Sequence, residues 1–358
     1  MRGENGGFRF ACVCRSWHAA VSLLCLAVLL AGPAVGQESG SSSNSHLQRV
    51  SRWLKSRDET VRLDAVKEAA TLPKSEGVPL LIQALKDPSP EVRGSAAWSL
   101  QIKDPRAVAA LRELLKEEKG GTEQSDRVRA SAVWSLSHIG GKEVLPEVVK
   151  LAREDPSGIV RFRAVWGLAH IGDRSALPVA VEALGDENVS VRQRAALLAL
   201  EALQDGSVAA RLLKAATHPQ ADTRRLVMYL LARYGNASVV PSLTAALQDA
   251  DALVRAEAAL SLGKLRARAA LDKLLPALKD PDEHVRGSAA YAVGLIGGGP
   301  AGEALRPLLK DESAFVRAVA AESLQRLGDK TVKPPDGFRA ADLFTYPIYS
   351  PEHANLYR

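Results

Sequence analysis

The chain holds 358 residues, 25% of them charged, with a formal net charge of +6, the balance of a soluble and mildly basic protein. Without the first 36 residues, 44 basic side chains face 40 acidic ones, too small an excess to imply a nucleic-acid partner. Two or three domains would be ordinary for this length, but a repeat array escapes that count because each unit touches only its neighbours.

The chain opens with Arg2, Arg9 and Arg15, an apolar run from about Ala19 to Ala31, and the small residues Ala34-Val35-Gly36. This is the order of a secretory signal, so residues 1–36 are expected to be removed after Gly36 and the protein exported to a periplasmic or extracellular space. Contact with a membrane is expected only if that leader stays uncleaved. Cys12, Cys14 and Cys25 all lie in it, which leaves the mature chain no disulfide and no cysteine metal site. Residues 37–45, QESGSSSNS, read as a flexible polar linker.

From His46 to Gly328 one pattern returns. Its clearest copy is DPDEHVRGSAAYAVGLIG, Asp280 to Gly297, and each copy carries a register arginine: Arg62, Arg93, Arg129, Arg161, Arg192, Arg224, Arg255, Arg286 and Arg317. All but one of the steps between them are 31 or 32 residues, a period that signals a solenoid. Each copy reads as two helices. The first is short, as in Val78 to Asp87 or Val239 to Asp249, with Pro79, Pro146, Pro178 and Pro241 expected near its start, where a missing N–H costs nothing. A turn follows, commonly Asp-Pro. The second helix then runs to a stop glycine, Gly140, Gly172, Gly235, Gly297 or Gly328, expected to be left-handed. The fold class is therefore an all-α solenoid of about nine helix pairs, expected to wind right-handedly.

The Asp-Pro turn, Val-Arg, Ala-Ala, Leu and Ile-Gly in fixed register resemble the HEAT-like repeats of the phycobilin lyase type, over roughly Leu47 to Gly328 in nine copies. That family holds bilin lyases, the iron enzyme deoxyhypusine hydroxylase, and many bacterial proteins that only bind other proteins. The resemblance implies a fold and leaves the activity open. In the hydroxylase, His-Glu pairs follow the Val-Arg position to hold two irons. Here Gly94-Ser95, Ala130-Ser131, Phe162-Arg163, Gln193-Arg194, Arg225-Leu226 and their counterparts stand there instead, so iron chemistry is not expected.

Counting from the register Arg at 100° per residue, positions −1, +3, +4, +7 and +10 gather on one side of the second helix: Val285, Ala289, Ala290, Val293 and Ile296 in the clearest copy. They form the expected core. The arginine lies at the edge of that face, where it can bond a turn Asp of its own or an adjoining repeat, among them Asp87, Asp155, Asp186, Asp249, Asp280 and Asp311.

Position +5 points furthest from the core and reads Lys67, Trp98, Trp134, Trp166, Leu197, Tyr229, Leu260, Tyr291 and Glu322. The family resemblance puts this side on the concave surface. With small neighbours such as Gly94, Ser137, Gly263 and Gly294, it predicts an apolar ladder in an open groove for a protein partner. His138 and His170 recur at +9 and are expected as ring contacts there. Arg163, Arg194 and Arg225 add positive charge beside the ladder.

Residues 329–358 abandon the repeat. Pro334, Pro335, Pro347 and Pro351 exclude a long helix, while Phe338, Phe344, Tyr346 and Tyr349 suit a cap on the last repeat, an occupant of the groove or a segment that docks on a partner, with a short helical turn near Arg339 to Phe344. No catalytic motif and no cofactor motif is found. The chain is thus read as an exported binding scaffold, not an enzyme. The alternative is a bilin-lyase-like factor holding a tetrapyrrole in the same groove.

Overall fold

The structure, a computed structural model, describes residues 41–102, 104–203, 205 and 207–343. The leader with its cleavage point, and the tail beyond Leu343, lie outside the described residues. The chain divides into two units at Arg49 and Val50, and the repeats from Val50 onward belong to the second. Among the described residues there is no strand, and no helix is long and apolar enough to cross a membrane.

Among the described residues nine second helices succeed one another, each preceded in the chain by a first helix, the earliest of which spans the unit boundary. The first helices are α1 (Ser41–Trp53), α3 (Lys74–Ala84), α5 (Pro105–Glu117), α7 (Leu145–Glu154), α9 (Leu177–Glu182), α11 (Val208–Ala215), α13 (Val240–Ala246), α15 (Leu271–Leu274) and α17 (Ala301–Leu305). The second helices are α2 (Glu59–Thr71), α4 (Pro90–Ser99), α6 (Glu123–Ile139), α8 (Gly158–Ile171), α10 (Ala196–Leu203), α12 (Ala221–Tyr234), α14 (Ala252–Lys264), α16 (Glu283–Ile296) and α18 (Ala314–Arg326). The protein is an all-α solenoid.

Three local expectations need correction. Helix α1 starts at Ser41, inside the stretch read as linker, because the first-turn N–H groups of a helix have no intrahelical partner and Ser and Asn are tolerated there. Pro146, Pro178 and Pro241 do open their helices, but Pro79 lies inside α3, which begins a turn and a half earlier at Lys74. Among the stop glycines, Gly172, Gly297 and Gly328 have φ of 69°, 65° and 96°, whereas Gly140 and Gly235 have φ of −84° and −87°. At those two, close approach is the constraint: a Cβ would overlap Val144 at Gly140, and the Leu231 carbonyl and Val239 at Gly235.

The core follows the helical register. Val285, Ala289, Ala290 and Val293 are fully buried and Ile296 nearly so. Second helices pack directly on one another at α4 on α6, α6 on α8, α14 on α16 and α16 on α18. Small residues make that approach possible. A Cβ on Gly263 would stand 2.6 Å from Ala292 Cα, and one on Gly294 would stand 2.6 Å from Ser323 Cβ. Hydroxyls pin the same layer: Ser135 Oγ donates to the Trp98 carbonyl at 3.3 Å and Ser261 Oγ to the Met228 carbonyl at 3.1 Å.

The register arginines join repeat to repeat. Arg255 Nε and Nη2 donate to the two carboxylate oxygens of Asp280 at 2.8 and 2.9 Å, while Nη1 donates to the Asp249 and Ala250 carbonyls of its own turn. The same fork joins Arg62 to Asp87, Arg161 to Asp186, Arg224 to Asp249 and Arg286 to Asp311, always 25 residues ahead. Arg129 bonds Asp155 through Nη2. Arg93 makes the same fork to Glu118, also 25 residues ahead, where Glu stands in place of the turn Asp. Each of these turn aspartates also accepts the N–H two residues on, as Asp280 does from Asp282, so one carboxylate shapes its own turn and receives the preceding repeat.

At the C-terminal end, helix α19 (Ala340–Leu343) returns to the last second helix. The Ala340 N–H donates to Glu322 Oε2 at 2.5 Å, and Ala340 is fully buried. Phe344 and the aromatic residues after it lie outside the described residues.

Candidate functional site

The +5 ladder is a graded feature rather than a uniform open groove. Trp98 is 43% exposed, Trp134, Trp166, Leu197 and Tyr229 are half-buried, Tyr291 is 8% exposed, and Leu260 is completely buried. The expectation of contact at Leu260, and largely at Tyr291, is therefore corrected. The cause is the small residues beside them. Gly263, Gly287, Ser288 and Gly294 are themselves buried, and they draw α14, α16 and α18 together over the ladder instead of leaving room for a ligand. Around α4 the fit is looser: a Cβ on Gly94 would meet Val128 at an ordinary 3.7 Å.

At the open end the ladder becomes an aromatic cluster. Trp98 stacks on Trp134 with centroids 6.1 Å apart and planes at 14°, and Trp134 meets Trp166 at 4.6 Å. Phe162 stands edge-on to Trp166 at 5.7 Å. The Arg163 guanidinium lies 5.3 to 5.8 Å from the ring centroids of Trp98, Trp134, Phe162 and Trp166, within the range where a cation is attracted to a ring face. Phe162, read in the sequence only as standing where an iron-binding pair would be, joins the cluster from position +1.

His138 and His170 join this cluster as a pair. Their rings stack at 3.6 Å, and His138 lies 4.1 Å from Trp134. His138 Nδ1 is 3.2 Å from the Trp134 carbonyl oxygen, which makes it the nitrogen that carries the proton. Burial, and then the neighbouring His170, hold the His138 imidazole below its ordinary pKa, so it is neutral at pH 7. His170 is the exposed member. No group of three or more His, Cys, Asp or Glu that could hold a metal occurs among the described residues.

The expected positive patch does not assemble as such. Arg225 is 7% exposed and lies 3.6 Å from Asp222, because +1 falls at the contact between second helices; it cannot meet a partner. The side chain of Arg194 lies outside the described residues. Arg163 belongs to the aromatic cluster.

A cleft of about 650 Å³ opens beside Trp98. Trp98 and Ile159, the exposed large hydrophobic residues among the described residues, both line it, together with Leu63, Gln124, Arg127 and Arg163. Its walls come from α2, α4, α6 and α8. The Trp98 carbonyl, held by Ser135 and by Gln101 Nε2 at 3.0 Å, fixes the backbone from which that indole projects.

Helix pairs stacked through a second-helix layer and an Arg–Asp ladder define a helical-repeat solenoid with an aromatic cleft at one end. A model of HEAT repeats matches residues 48–124, 121–201, 209–294 and 271–335, and the chain belongs to the HEAT-repeat proteins. It is similar to U3 small nucleolar RNA-associated protein 10 of Phaeosphaeria nodorum, 31% identical over 160 residues, covering 42% of this chain and only 9% of that protein's length. Among solved structures it is similar to Kap121p bound to Ste12p (14% identity, 82% of this chain and 38% of that chain, TM-score 0.59) and to Kap121p bound to Pho4p (14%, 79% and 38%, TM-score 0.59).

Proposed function

We propose that the chain is a protein-binding scaffold whose contact surface is the aromatic cluster and the cleft beside it, and that it acts after export, without a cofactor and without catalysis of its own. The observation that carries this reading is that Trp98 and Ile159 border one cleft. An apolar pair beside a rigid indole stack is the kind of anchor that dominates protein interfaces. Solenoids of similar fold, the Kap121p structures, are bound to Ste12p and Pho4p, which supports a protein ligand. The small basic excess weighs against a nucleic-acid one.

The alternative is membership of the phycobilin lyase type, with a tetrapyrrole on the tryptophans. A flat molecule inserted between two rings needs about 7 Å, two contact distances of about 3.5 Å each. The centroid separations of 6.1 and 4.6 Å leave no such slot, and this favours the scaffold. The test is to immobilise the full chain and its Trp98→Ala and Ile159→Ala variants, expose them to the envelope fraction of the native host, and quantify what is retained. A protein held by the wild type, lost by both variants and then bound by the purified wild type in a titration supports the reading. Identical retention by all three chains overturns it, and a tetrapyrrole absorption shift that depends on Trp98 would replace it with the lyase-like one.

A further inference from the structure

The Arg–Asp ladder has a gap between the fifth and sixth repeats. Apart from Arg93, which meets Glu118, the carboxylate that a register arginine bonds lies six residues before the next register arginine: Asp186 before Arg192, Asp249 before Arg255, Asp280 before Arg286. Before Arg224 that place is His218. Arg192 accordingly bonds only the Asp186 and Glu187 carbonyls of its own turn, at 2.7 and 2.8 Å; its Nη2 lies 3.9 Å from Asp222, and its buried Nε makes no hydrogen bond.

His218 keeps one of the two duties of the aspartate. Its Nδ1 accepts the Gln220 N–H at 3.2 Å, as Asp280 accepts Asp282, which occupies the acceptor nitrogen and leaves none for Arg192. The imidazole packs instead on Gly185, where a Cβ would come within 2.6 Å of Nε2. At the position of Gly185 other repeats carry Lys86, Glu154, Gln248, Lys279 or Lys310, so two departures from the repeat meet at one joint.

Backbone and sequence depart there too. The second helix of the fifth repeat opens as a π-helical stretch, Val191–Ala195, before α10 begins, an irregularity that recurs at functional positions. The HEAT-repeat match stops at residue 201 and resumes at 209. In the half-exposed ladder, Leu197 and Tyr229 stand on either side of this joint.

We propose that the joint between the fifth and sixth repeats, across α10 and α12, is the flexion point of the solenoid, and that His218 in place of the ladder aspartate creates it. An array held by nearest-neighbour contacts bends where one of those contacts is weakest. Flexion there changes the separation of Leu197 from Tyr229 and leaves the aromatic cluster, wholly on one side, intact.

The test uses the full chain with Cys12, Cys14 and Cys25 changed to Ser and spin labels at exposed positions, Lys150→Cys with Lys273→Cys across the joint, and Lys273→Cys with Lys310→Cys as a pair on one side of it. The expected distance distribution is broad across the joint and narrow on one side. His218→Asp restores the missing partner of Arg192, narrows the first distribution to the width of the second and raises the melting temperature. Adding Arg192→Ala to His218→Asp returns the broad distribution, which separates the ionic contact from any other effect of the substitution. Equal widths in the wild-type chain, or a distribution that His218→Asp leaves broad although the protein folds, overturn the proposal.

Discussion

Replacing Arg255 by Ala measures what one rung of the ladder contributes. Arg255 makes four hydrogen bonds, two to the Asp280 carboxylate and two to the carbonyls of its own turn. The side chains of the pair are 16% and 11% exposed. Without the guanidinium, Asp280 keeps the Asp282 N–H at 2.9 Å as its close donor and remains a carboxylate mostly withdrawn from water. Breaking a fully buried pair costs about 3–5 kcal/mol and an exposed one about 0–1; this exposure lies nearer the first, with some relief from water reaching Asp280. The expected loss is about 2 kcal/mol, read as a lower urea midpoint by circular dichroism at pH 7 with an unchanged slope. Arg192→Ala is the internal comparison: it removes two carbonyl bonds and no fork, so about 1 kcal/mol is expected. A double-mutant cycle with Asp280→Ala should return a coupling of about 1 kcal/mol or more. Equal losses for Arg255→Ala and Arg192→Ala, or a coupling near zero, would refute the view that the fork holds adjoining repeats together.

The ladder also sets a pH dependence. Hydrogen bonds from Arg224 and Arg286 hold the Asp249 and Asp311 carboxyls below their ordinary pKa, so their contribution is complete above the unfolded value of about 4 and is lost as pH falls through the depressed folded values; urea midpoints should drop below about pH 4, after a smaller decline below about pH 6.5 from the depressed His138 pKa, and a midpoint that rises on acidification contradicts this. Gly94→Ala, with its new methyl in ordinary contact, should stabilise by about 0.5–1 kcal/mol through helix propensity, whereas Gly263→Ala drives a methyl against backbone and should destabilise by about 1–3 kcal/mol; the same sign for both in urea titrations would contradict the close approach of α14 and α16. Trp134→Ala, emptying a half-buried site between two rings, should lower the melting temperature more than Trp98→Ala, while Trp98→Ala should weaken partner affinity by about 2 kcal/mol or more in a binding isotherm; the reverse order would make Trp98 a core residue.

What could be read from the sequence was whatever depends on one helix or on a repeated contact. The positions around Val285 and Ala289 are fixed by angle alone, and the core side they define is buried as expected. The arginine at the edge of that side had a short list of carboxylates in reach; the list was right, and the structure adds that the partner lies one repeat ahead, a choice set by the offset between stacked pairs and invisible in either helix. The helix starts near Lys74 and Ser41 were harder, because end positions carry weak preferences that neighbouring turns override.

The groove was misread for a different reason. Small residues on a helix have two opposite meanings, room for a visitor or the close approach of the next helix, and glycine and serine look the same in both. The distances decide. Gly263 and Gly294 are closed over by Ala292 and Ser323, while Gly94 is not, so the same +5 position runs from an exposed Trp98 to a buried Leu260 along one array. An apolar ladder in a solenoid therefore marks a binding surface only where the second helices are held apart. The opening is local to α4: Gly94 keeps an ordinary distance from Val128, whereas between α6 and α8 a Cβ on Gly167 would stand 2.7 Å from Ser137 Cβ, an approach like that of α14 and α16. Trp98 and Ile159, exposed at that open end, are the residues a partner would meet.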